Sequence, residues 1–343
     1  MDFTFLDLNL IWFVLIGILF GGYAMLDGFD LGVGALHLLT KTDDERRLMI
    51  NSIGPVWDGN EVWLVTGGGA LFAAFPDVYA TLASGFYLAV FLLLLCLIFR
   101  AIAIEFRSKQ PMKWWRNFWD VCFSVSSILT SFVLGVALGN LIWGVPLAAD
   151  KEFAGTFLGL FHPYSLMLGI TTVALFMMHG SIYVVLKTEG DFYEKARGWV
   201  NNCIIFFIIC YGITTMATLV FLPHMTEKLR EHPALFIVPL ISMLAVANIP
   251  RQIYRKKDLH ALLSSCVVML VLIFLCGGGI FPNIVPSNPN PEFSLTIYNA
   301  SASKKSLNYM FNIALIGIPF VLSYTFAIYW IFRGKVVLTK DSY

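Results

Sequence analysis

Long apolar segments separated by short polar ones dominate the chain. A hydrocarbon core about 30 Å thick needs roughly 20 apolar residues for one helical crossing, and nine segments approach that length. They lie near residues 9–38, 54–75, 78–101, 117–143, 163–186, 199–222, 234–250, 260–281 and 307–333. The seventh segment is the weakest because Pro239 interrupts it. Strand-like alternation typical of membrane barrels is not seen, so the predicted spans are helices, which satisfy their own backbone hydrogen bonds in lipid.

Composition supports the same class. The chain of 343 residues is 58% hydrophobic and only 13% charged, with a mean hydropathy of +0.76. These values lie far from those of a soluble domain and indicate an all-α integral membrane protein. The net charge of +1 and the lack of a nucleic-acid-binding motif argue against a polyanionic partner.

Basic residues indicate the orientation. If the N-terminus lies outside, 18 of the 23 Lys and Arg residues fall in or beside cytoplasmic segments. Because cytoplasmic loops carry an excess of Lys and Arg, the nine spans predict an outer N-terminus and a cytoplasmic C-terminus. The predicted location is a membrane that the chain crosses many times.

Cysteine and histidine give little support for a cofactor site. All six cysteines fall inside predicted spans without a C-x-x-C spacing, so neither a disulfide framework nor a zinc or c-type haem site is expected. His179, in "FMMHGSIY", is the histidine that lies well inside a predicted span. A hydrogen-bonded role in helix packing is preferred for it over haem ligation, although ligation stays open. We therefore predict no metal ligand and no catalytic residue in this chain.

Six carboxylates lie in or beside the first four predicted spans. Each such group costs roughly 2.5–3.5 kcal/mol on insertion scales, so it suggests a function by default. The six are Asp27, Asp30, Asp58, Glu61, Glu105 and Asp120. Asp27 and Asp30 form one pair at a spacing of three residues, and Asp58 and Glu61 form another, so each pair shares a helix face.

The carboxylates are expected at graded depths. With a rise of 1.5 Å per residue, Asp30 would lie about 12 Å, Asp27 about 17 Å and Asp58 about 6 Å inside the cytoplasmic boundary. Neighbouring buried carboxylates favour each other's protonated forms. Such a series could hold and pass protons between the cytoplasm and the middle of the membrane.

Other interpretations of these carboxylates stay open. Asp120 could be a helix cap or a partner of the helix dipole, and Glu61 could pair with a basic residue. Asp27 and Asp30 lie too deep for a cap. An ion-coupled transporter would be expected to have broken helices in both halves, whereas the intramembrane carboxylates occur only in the first.

Glycine spacing predicts close helix packing. Gly28-x3-Gly32 and Gly135-x3-Gly139 are small-xxx-small patterns, which let two backbones approach. We expect them to bring the first four spans together.

Several longer motifs resemble subunit II of the cytochrome bd-type quinol oxidases. The resemblance is carried by "DGFDLGVGAL" at 27–36, "DDERRLMINSIGPVWDGNEVWLVTGGGALFAAFP" at 43–76, "SGFYLAV" at 84–90, "RSK" at 107–109, "WRNFWD" at 115–120 and "GVALGNLIWGVP" at 135–146. In the second half it depends on "GGGIFPNIVPS" at 277–287 and "SLTIYNASASKKSLNYM" at 294–310.

This resemblance implies a fold and a partner. The expected fold has nine helices, with a four-helix bundle carrying the carboxylates in residues 1–150 and a second bundle plus one extra helix in 151–343. The implied partner is subunit I, which holds the quinol site, two b-type haems and haem d, and reduces dioxygen to water. A small accessory transmembrane subunit, lipid and a structurally bound quinone are further partners that the family allows.

The resemblance also suggests a task for the carboxylates. Such oxidases charge the membrane without pumping, because quinol releases protons outside while the protons that form water come from the cytoplasm. The family places Asp58 of the W-D-G-N motif, and an acidic position shortly before R-S-K that is Glu105 here, on the uptake route. Asp27, Asp30, Glu61 and Asp120 are expected in the same polar cluster, with Trp57, Asn60 and Trp63 as its structural surroundings. The alternative is a purely structural partner of subunit I.

Overall fold

The computed structural model describes residues 6–339 and Ser342, and these are mostly helical. The helices are α1 (Leu8–Leu36), α2 (Asp43–Ile53), α3 (Trp57–Ala74), α4 (Pro76–Gly85), α5 (Tyr87–Phe106), α6 (Lys113–Trp143), α7 (Pro163–Lys187), α8 (Gly190–Phe221), α9 (His224–Glu231), α10 (Ile237–Tyr254), α11 (Asp258–Ile280) and α12 (Lys304–Ile331). Two short antiparallel strands, β1 (Asn283–Val285) and β2 (Leu295–Thr296), lie between α11 and α12.

Eight of the described helices are long and apolar enough to cross a membrane: α1, α5, α6, α7, α8, α10, α11 and α12. Helix α3 occupies the position of the remaining predicted span and has 18 residues, about 27 Å of helix. It is less apolar than the others because Asp58, Asn60 and Glu61 lie in its first turns. By length and composition the structure therefore supports eight spans, and the predicted count of nine depends on α3.

Two predicted segments have different bounds in the structure. The third, expected at 78–101, is split at Phe86 into the short helix α4 and the long helix α5. Pro76 begins α4 directly after α3, as proline favours the first position of a helix. In the seventh segment, Pro239 lies in the first turn of α10, where a missing N–H breaks no helical bond. That proline therefore does not interrupt the helix.

The long helices alternate in direction between two ends of the bundle. One end, here called the α2 end, carries α2 and the termini of α5 and α7. The opposite strand end carries β1, β2 and α9, and there the Ala302 N–H bonds to the carbonyl of Ala74, the last residue of α3. At the α2 end the Lys187 ammonium donates to the carbonyl of Phe332, just beyond α12. Helix α3 therefore runs antiparallel to α1 and reaches the strand end.

Helices α1 and α7 approach closely at the centre of the bundle. A Cβ atom on Gly32 would lie 1.8 Å from the Phe176 carbonyl oxygen, and one on Gly180 would lie 2.4 Å from the Gly32 carbonyl carbon. Gly135 and Gly139 of α6 likewise meet the backbone of α7. The glycine patterns thus mark close contacts as expected. Their partner, however, is α7 of the second half rather than another of the first four spans.

Helix α2 is an element that the apolar pattern did not predict. It lies along the α2 end and begins with a capping box, in which Thr42 and Glu45 bond reciprocally to each other's backbone N–H. The sequence "TDDE" is the signal for such a start. Its buried face, with Met49, Ile50 and Ile53, packs into the main core.

Candidate functional site

A buried ion pair joins α1 to α5. The Arg100 guanidinium donates from Nη1 to Asp27 Oδ2 at 2.8 Å and from Nη2 to Asp27 Oδ1, and both side chains are fully buried. Such a fork matches the planar geometry of a carboxylate. Asp27 is therefore a charge-paired group in the folded subunit.

Asp30 belongs to a second polar cluster on the neighbouring face. Asn60 Nδ2 donates to Asp30 Oδ2 at 2.7 Å and to the Leu26 carbonyl at 3.0 Å. The Tyr329 hydroxyl of α12 donates to Asn60 Oδ1 at 2.8 Å. The other oxygen of Asp30 is buried without a hydrogen-bond partner among the described residues. Asn60 thus connects α1, α3 and α12 through one side chain.

Asp58 and Glu61 lie on the opposite face of the first turns of α3. Asp58 is exposed on the surface of the subunit, whereas Glu61 is half-buried and within electrostatic range of Arg100, Asp27 and Asp58. The structure thus places Glu61 beside the buried Asp27–Arg100 pair, with the exposed Asp58 next to Glu61.

Two tryptophans frame these carboxylates. Trp57 packs into the main core, and the ring of Trp63 lies against the backbone of Gly22, where a Cβ atom would come within 2.3 Å of it. Both rings contribute packing between α3 and its neighbours.

The carboxylates of α1 and α3 lie at similar depths rather than in a series. Because Asn60 contacts both Leu26 and Asp30, the first turn of α3 lies beside the middle of the acidic stretch of α1. Asp58 therefore lies near the level of Asp30, and not close to the boundary as the helix rise suggested. The reason is that residues 43–53 form the separate helix α2 at the α2 end. The chain has therefore already turned back into the bundle where α3 begins at Trp57.

Asp120 lies in a separate ion cluster nearer the α2 end. It accepts hydrogen bonds from His37 Nε2 at 2.6 Å, Arg107 Nε at 2.5 Å and Arg46 Nη1 at 2.7 Å, and it is fully buried. His37 directly follows α1 and lies ten residues after Asp27, so the two charged layers are separated by about 15 Å. Asp120 joins α1, α2, α5 and α6 and is not a cap of α6, which begins at Lys113.

Glu105 and Glu45 lie near this cluster. Glu105 is half-buried in the last turn of α5. Lys195 Nζ donates to both oxygens of Glu45, at 2.7 and 2.8 Å. Partial burial opposes the charged form of Glu45, but the Lys195 bond and the N–H groups of Lys41 and Thr42 together lower the pKa of this carboxyl.

His179 is held on both ring nitrogens. Its Nε2–H lies 2.9 Å from the Met25 carbonyl oxygen, and its Nδ1 lies 2.7 Å from the Ser265 hydroxyl. An axial haem ligand needs one free ring nitrogen, so this arrangement does not fit ligation. The described residues also contain no group of three or more His, Cys, Asp or Glu that could hold a metal ion.

Comparisons with known proteins agree with this architecture. The family model for cytochrome bd terminal oxidase subunit II matches residues 8–332. The chain belongs to the cytochrome bd terminal oxidase subunit II family. It is 34% identical to cytochrome bd-I ubiquinol oxidase subunit 2 of Escherichia coli strain K12, over 97% of this chain and 96% of that one. It is also 34% identical to cytochrome bd ubiquinol oxidase subunit 2 of Bacillus subtilis strain 168, over 96% and 97%.

A solved structure shares the fold of this cytochrome bd subunit. The bd oxidase from Geobacillus thermodenitrificans superposes with a TM-score of 0.79 at 15% sequence identity, covering 95% of this chain and 99% of that chain. The resemblance to the family is therefore confirmed. The subunit is a multi-pass membrane protein of an oxidoreductase complex that has a partner subunit I and uses haem and quinone.

The sequence did not reveal the cationic partners of the acids in this cytochrome bd subunit. Arg100, Arg107 and Arg46 were expected in cytoplasmic segments, yet Arg100 and Arg107 are buried and all three bind buried carboxylates. One signal was available for Arg100, since it follows an apolar run and lies on a predicted helix. No comparable signal pointed to Tyr329, on the last helix.

Proposed function

We propose that this chain is subunit II of a cytochrome bd-type quinol oxidase and forms a proton-uptake route from the cytoplasm through Asp58. In this proposal it pairs with subunit I, which carries two b-type haems, haem d and the quinol site. Quinol oxidation releases protons outside, dioxygen reduction to water consumes protons from inside, and the membrane is charged without pumping. The nine crossing helices include α3, and both bundles lie in the bacterial cytoplasmic membrane with the C-terminus inside.

The observation that carries the proposal is the position of Asp58. This carboxylate is exposed on the surface of the subunit, yet Asn60, half a turn further on, contacts the buried middle of α1. A carboxylate facing lipid at such a depth would be costly. The geometry therefore favours contact of the surface around Asp58 with a partner subunit and water rather than with lipid.

The surroundings of each acid suggest different tasks. Asp27 and Asp120 are held by guanidinium groups, and these ion pairs fix the helices relative to each other. Asp58 has no hydrogen bond or ion pair within the described part of the chain, and half-buried Glu61 follows one turn later on the same face. We assign proton transfer to Asp58 and Glu61, with Glu105 nearer the α2 end. Each acid accepts a proton on one carboxylate oxygen and releases one to the next acceptor.

The test is Asp58→Asn in the complete complex. Asparagine keeps the size and polarity of the side chain but cannot ionise, so we expect unchanged haem absorption and oxygen consumption reduced about tenfold or more. Asp77→Asn is the matched control, since Asp77 is an exposed acid in the first turn of α4 at the strand end. It should leave the rate unchanged.

Three outcomes separate the alternatives. Slow respiration with intact haem spectra supports the proton route, and restoration by Asp58→Glu strengthens it. Loss of the assembled complex in Asp58→Asn supports a purely structural role. An unchanged rate of oxygen consumption contradicts the route and favours a transport function for the carboxylates.

A further inference from the structure

A groove between α10 and α11 lies apart from the charged layers of the first half. Its volume is about 700 Å³, and its walls are mainly apolar, with Ile241, Leu244, Leu263 and Val267 among them. At the α2 end the walls become polar and include Arg251 and His260. The groove is therefore amphipathic along its length.

The length of the groove matches one leaflet of a membrane. Ile241 and Arg251 are ten residues apart on α10, which corresponds to about 15 Å along the axis. Half of a hydrocarbon core about 30 Å thick has the same depth. An acyl chain lying between α10 and α11 would extend from the polar end toward the middle of the bilayer.

The polar end is rich in unpartnered positive charge. Arg251, Arg255 and Lys257 are exposed, and within the described part of the chain no hydrogen bond or ion pair reaches their side chains. Lys256 lies 3.4 Å from Glu194, and Asp258 is the single acid among residues 251–260. This stretch thus has an excess of cations directly beside the groove.

Asn248 and Gln252 form internal hydrogen bonds in the floor at this end. Asn248 Nδ2 donates to Ser264 Oγ at 2.9 Å, and Gln252 Nε2 donates to Asn248 Oδ1 at 3.0 Å. The first bond joins α10 to α11, the second lies within α10, and neither uses the side chain of Arg251 or His260. The guanidinium and the imidazole are therefore free to contact a group outside the protein.

We propose that the groove between α10 and α11 binds an anionic phospholipid, with its phosphate at Arg251 and His260 and an acyl chain along Leu244 and Val267. Basic pockets between transmembrane helices bind anionic headgroups in this way. A transmembrane helix of a partner protein would place apolar atoms against the walls but would leave the cationic end without a counter-charge. With the proposed orientation, the lipid comes from the cytoplasmic leaflet.

The experiment measures lipid retained by the whole oxidase complex. The complex is placed in nanodiscs of phosphatidylcholine and phosphatidylglycerol, released, and weighed by native mass spectrometry. Arg251→Gln combined with His260→Gln should lose one bound phosphatidylglycerol, with retention about fivefold weaker for the arginine alone. Lys113→Gln removes an exposed cation from the start of α6 and should retain the lipid.

A second measurement locates the lipid. Phosphatidylglycerol with a photoreactive acyl chain should label the peptides that contain Leu244 and Val267 in the wild type and lose that labelling in the double variant. Haem absorption should be unchanged, because both side chains are exposed. Equal lipid retention in the double variant, or labelling of the Leu244 and Val267 peptides that persists in the double variant, would overturn the proposal.

Discussion

The two halves of the bundle contain different kinds of buried polar contacts between helices. In the first half several of the buried polar side chains are charged and paired: Arg100 pairs with Asp27, and Asp120 lies among two arginines and His37. In the described part of the second half, neutral hydroxyl groups bridge neighbouring helices, and the buried Lys187 ammonium donates to backbone carbonyls rather than to an acid. The neutral bridges are Thr171–Thr214 at 2.7 Å, Tyr164–Thr218 at 2.9 Å and His179–Ser265 at 2.7 Å.

This difference distinguishes polar groups that only join helices from charged groups that can take part in proton transfer. Neutral hydrogen bonds between membrane helices contribute about 0.6 kcal/mol each on average, which is enough to orient helices without introducing charge. Buried charges are far more costly, and they persist only where they are paired or needed. The bridges of the second half show that buried helices can be joined by neutral hydrogen bonds. In the first half the buried Asp27–Arg100 pair instead fixes α1 and α5 beside Glu61, to which, together with Asp58, we assign proton uptake.

The largest effect is expected when the ion pair of the first half is broken. Arg100→Gln leaves the Asp27 carboxylate buried without its partner, which should destabilise the subunit by about 3–5 kcal/mol. The measurement is the yield of assembled complex, read from haem absorption, together with its thermal unfolding temperature. A wild-type yield would contradict the buried pair.

Two control variants sharpen this prediction. Arg116→Gln removes an ion pair with Asp43 in which the arginine is 31% and the aspartate 43% exposed, so the loss should stay below about 1 kcal/mol. Asp27→Asn combined with Arg100→Gln removes both charges. It should recover much of the yield, because no uncompensated charge is left buried.

A smaller effect is expected in the neutral half. Ser265→Ala removes the partner of His179 Nδ1 and should cost about 1–2 kcal/mol of unfolding free energy, near the upper limit for such bonds in membranes. The rate of oxygen consumption per haem should not change, since no charge is involved. Ser323→Ala, at an exposed serine that bonds only to the Pro319 carbonyl, is the control. If Ser265→Ala lowered the unfolding free energy as much as Arg100→Gln does, the two halves would not differ in how strongly their stability depends on buried polar groups.

The sequence predicted the elements better than the contacts. Hydropathy along the chain located every long helix, because burial in lipid acts on each segment separately. Hydropathy did not predict the break between α4 and α5, because the segments on both sides of Phe86 are apolar. Hydropathy did not predict helix α2 either, because the pattern of α2 is amphipathic. The sequence signal for this helix is the capping box at Thr42 and Glu45.

The candidate site was predicted in part for a similar reason. The carboxylates could be found from sequence because an acid in an apolar segment is conspicuous. Their partners could not, because Asp27 and Arg100 are 73 residues apart and Asn60 and Tyr329 are 269 apart. Only the packing of α1 against α3, α5 and α12 brings these side chains together. The resemblance to the family supplied roles for single residues but no hydrogen bonds.

A modest effect is expected at the link between the last helix and the site. Tyr329→Phe removes the hydroxyl that donates to Asn60 and should cost about 0.6 kcal/mol of stability. If Asn60 positions the first turn of α3, oxygen consumption should also slow while the haem spectrum stays intact. Tyr324→Phe, at a tyrosine that is 63% exposed on the same helix, should change neither quantity. An equal response of the two variants would assign Tyr329 to packing alone.

The smallest effect is expected at the surface ion pair between the halves. Glu45 of α2 and Lys195 of α8 are 19% and 29% exposed, so solvent screens their attraction. Lys195→Gln should therefore lower the unfolding free energy by less than about 1 kcal/mol at neutral pH. The measurement is the difference in thermal unfolding temperature between the variant and the wild type over a range of pH.

The direction of the pH dependence follows from the lowered pKa of Glu45. In the unfolded chain a glutamate has a pKa of about 4.3, and in the folded subunit the Lys195 ammonium keeps it charged to a lower pH. The stabilisation is present above the unfolded value and disappears as the pH falls through the folded one. The gap between wild type and Lys195→Gln should thus stay constant above about pH 5 and close below about pH 4. A gap that stays unchanged below about pH 4 would show that the lysine acts through its packing on Trp199 rather than through its charge on Glu45.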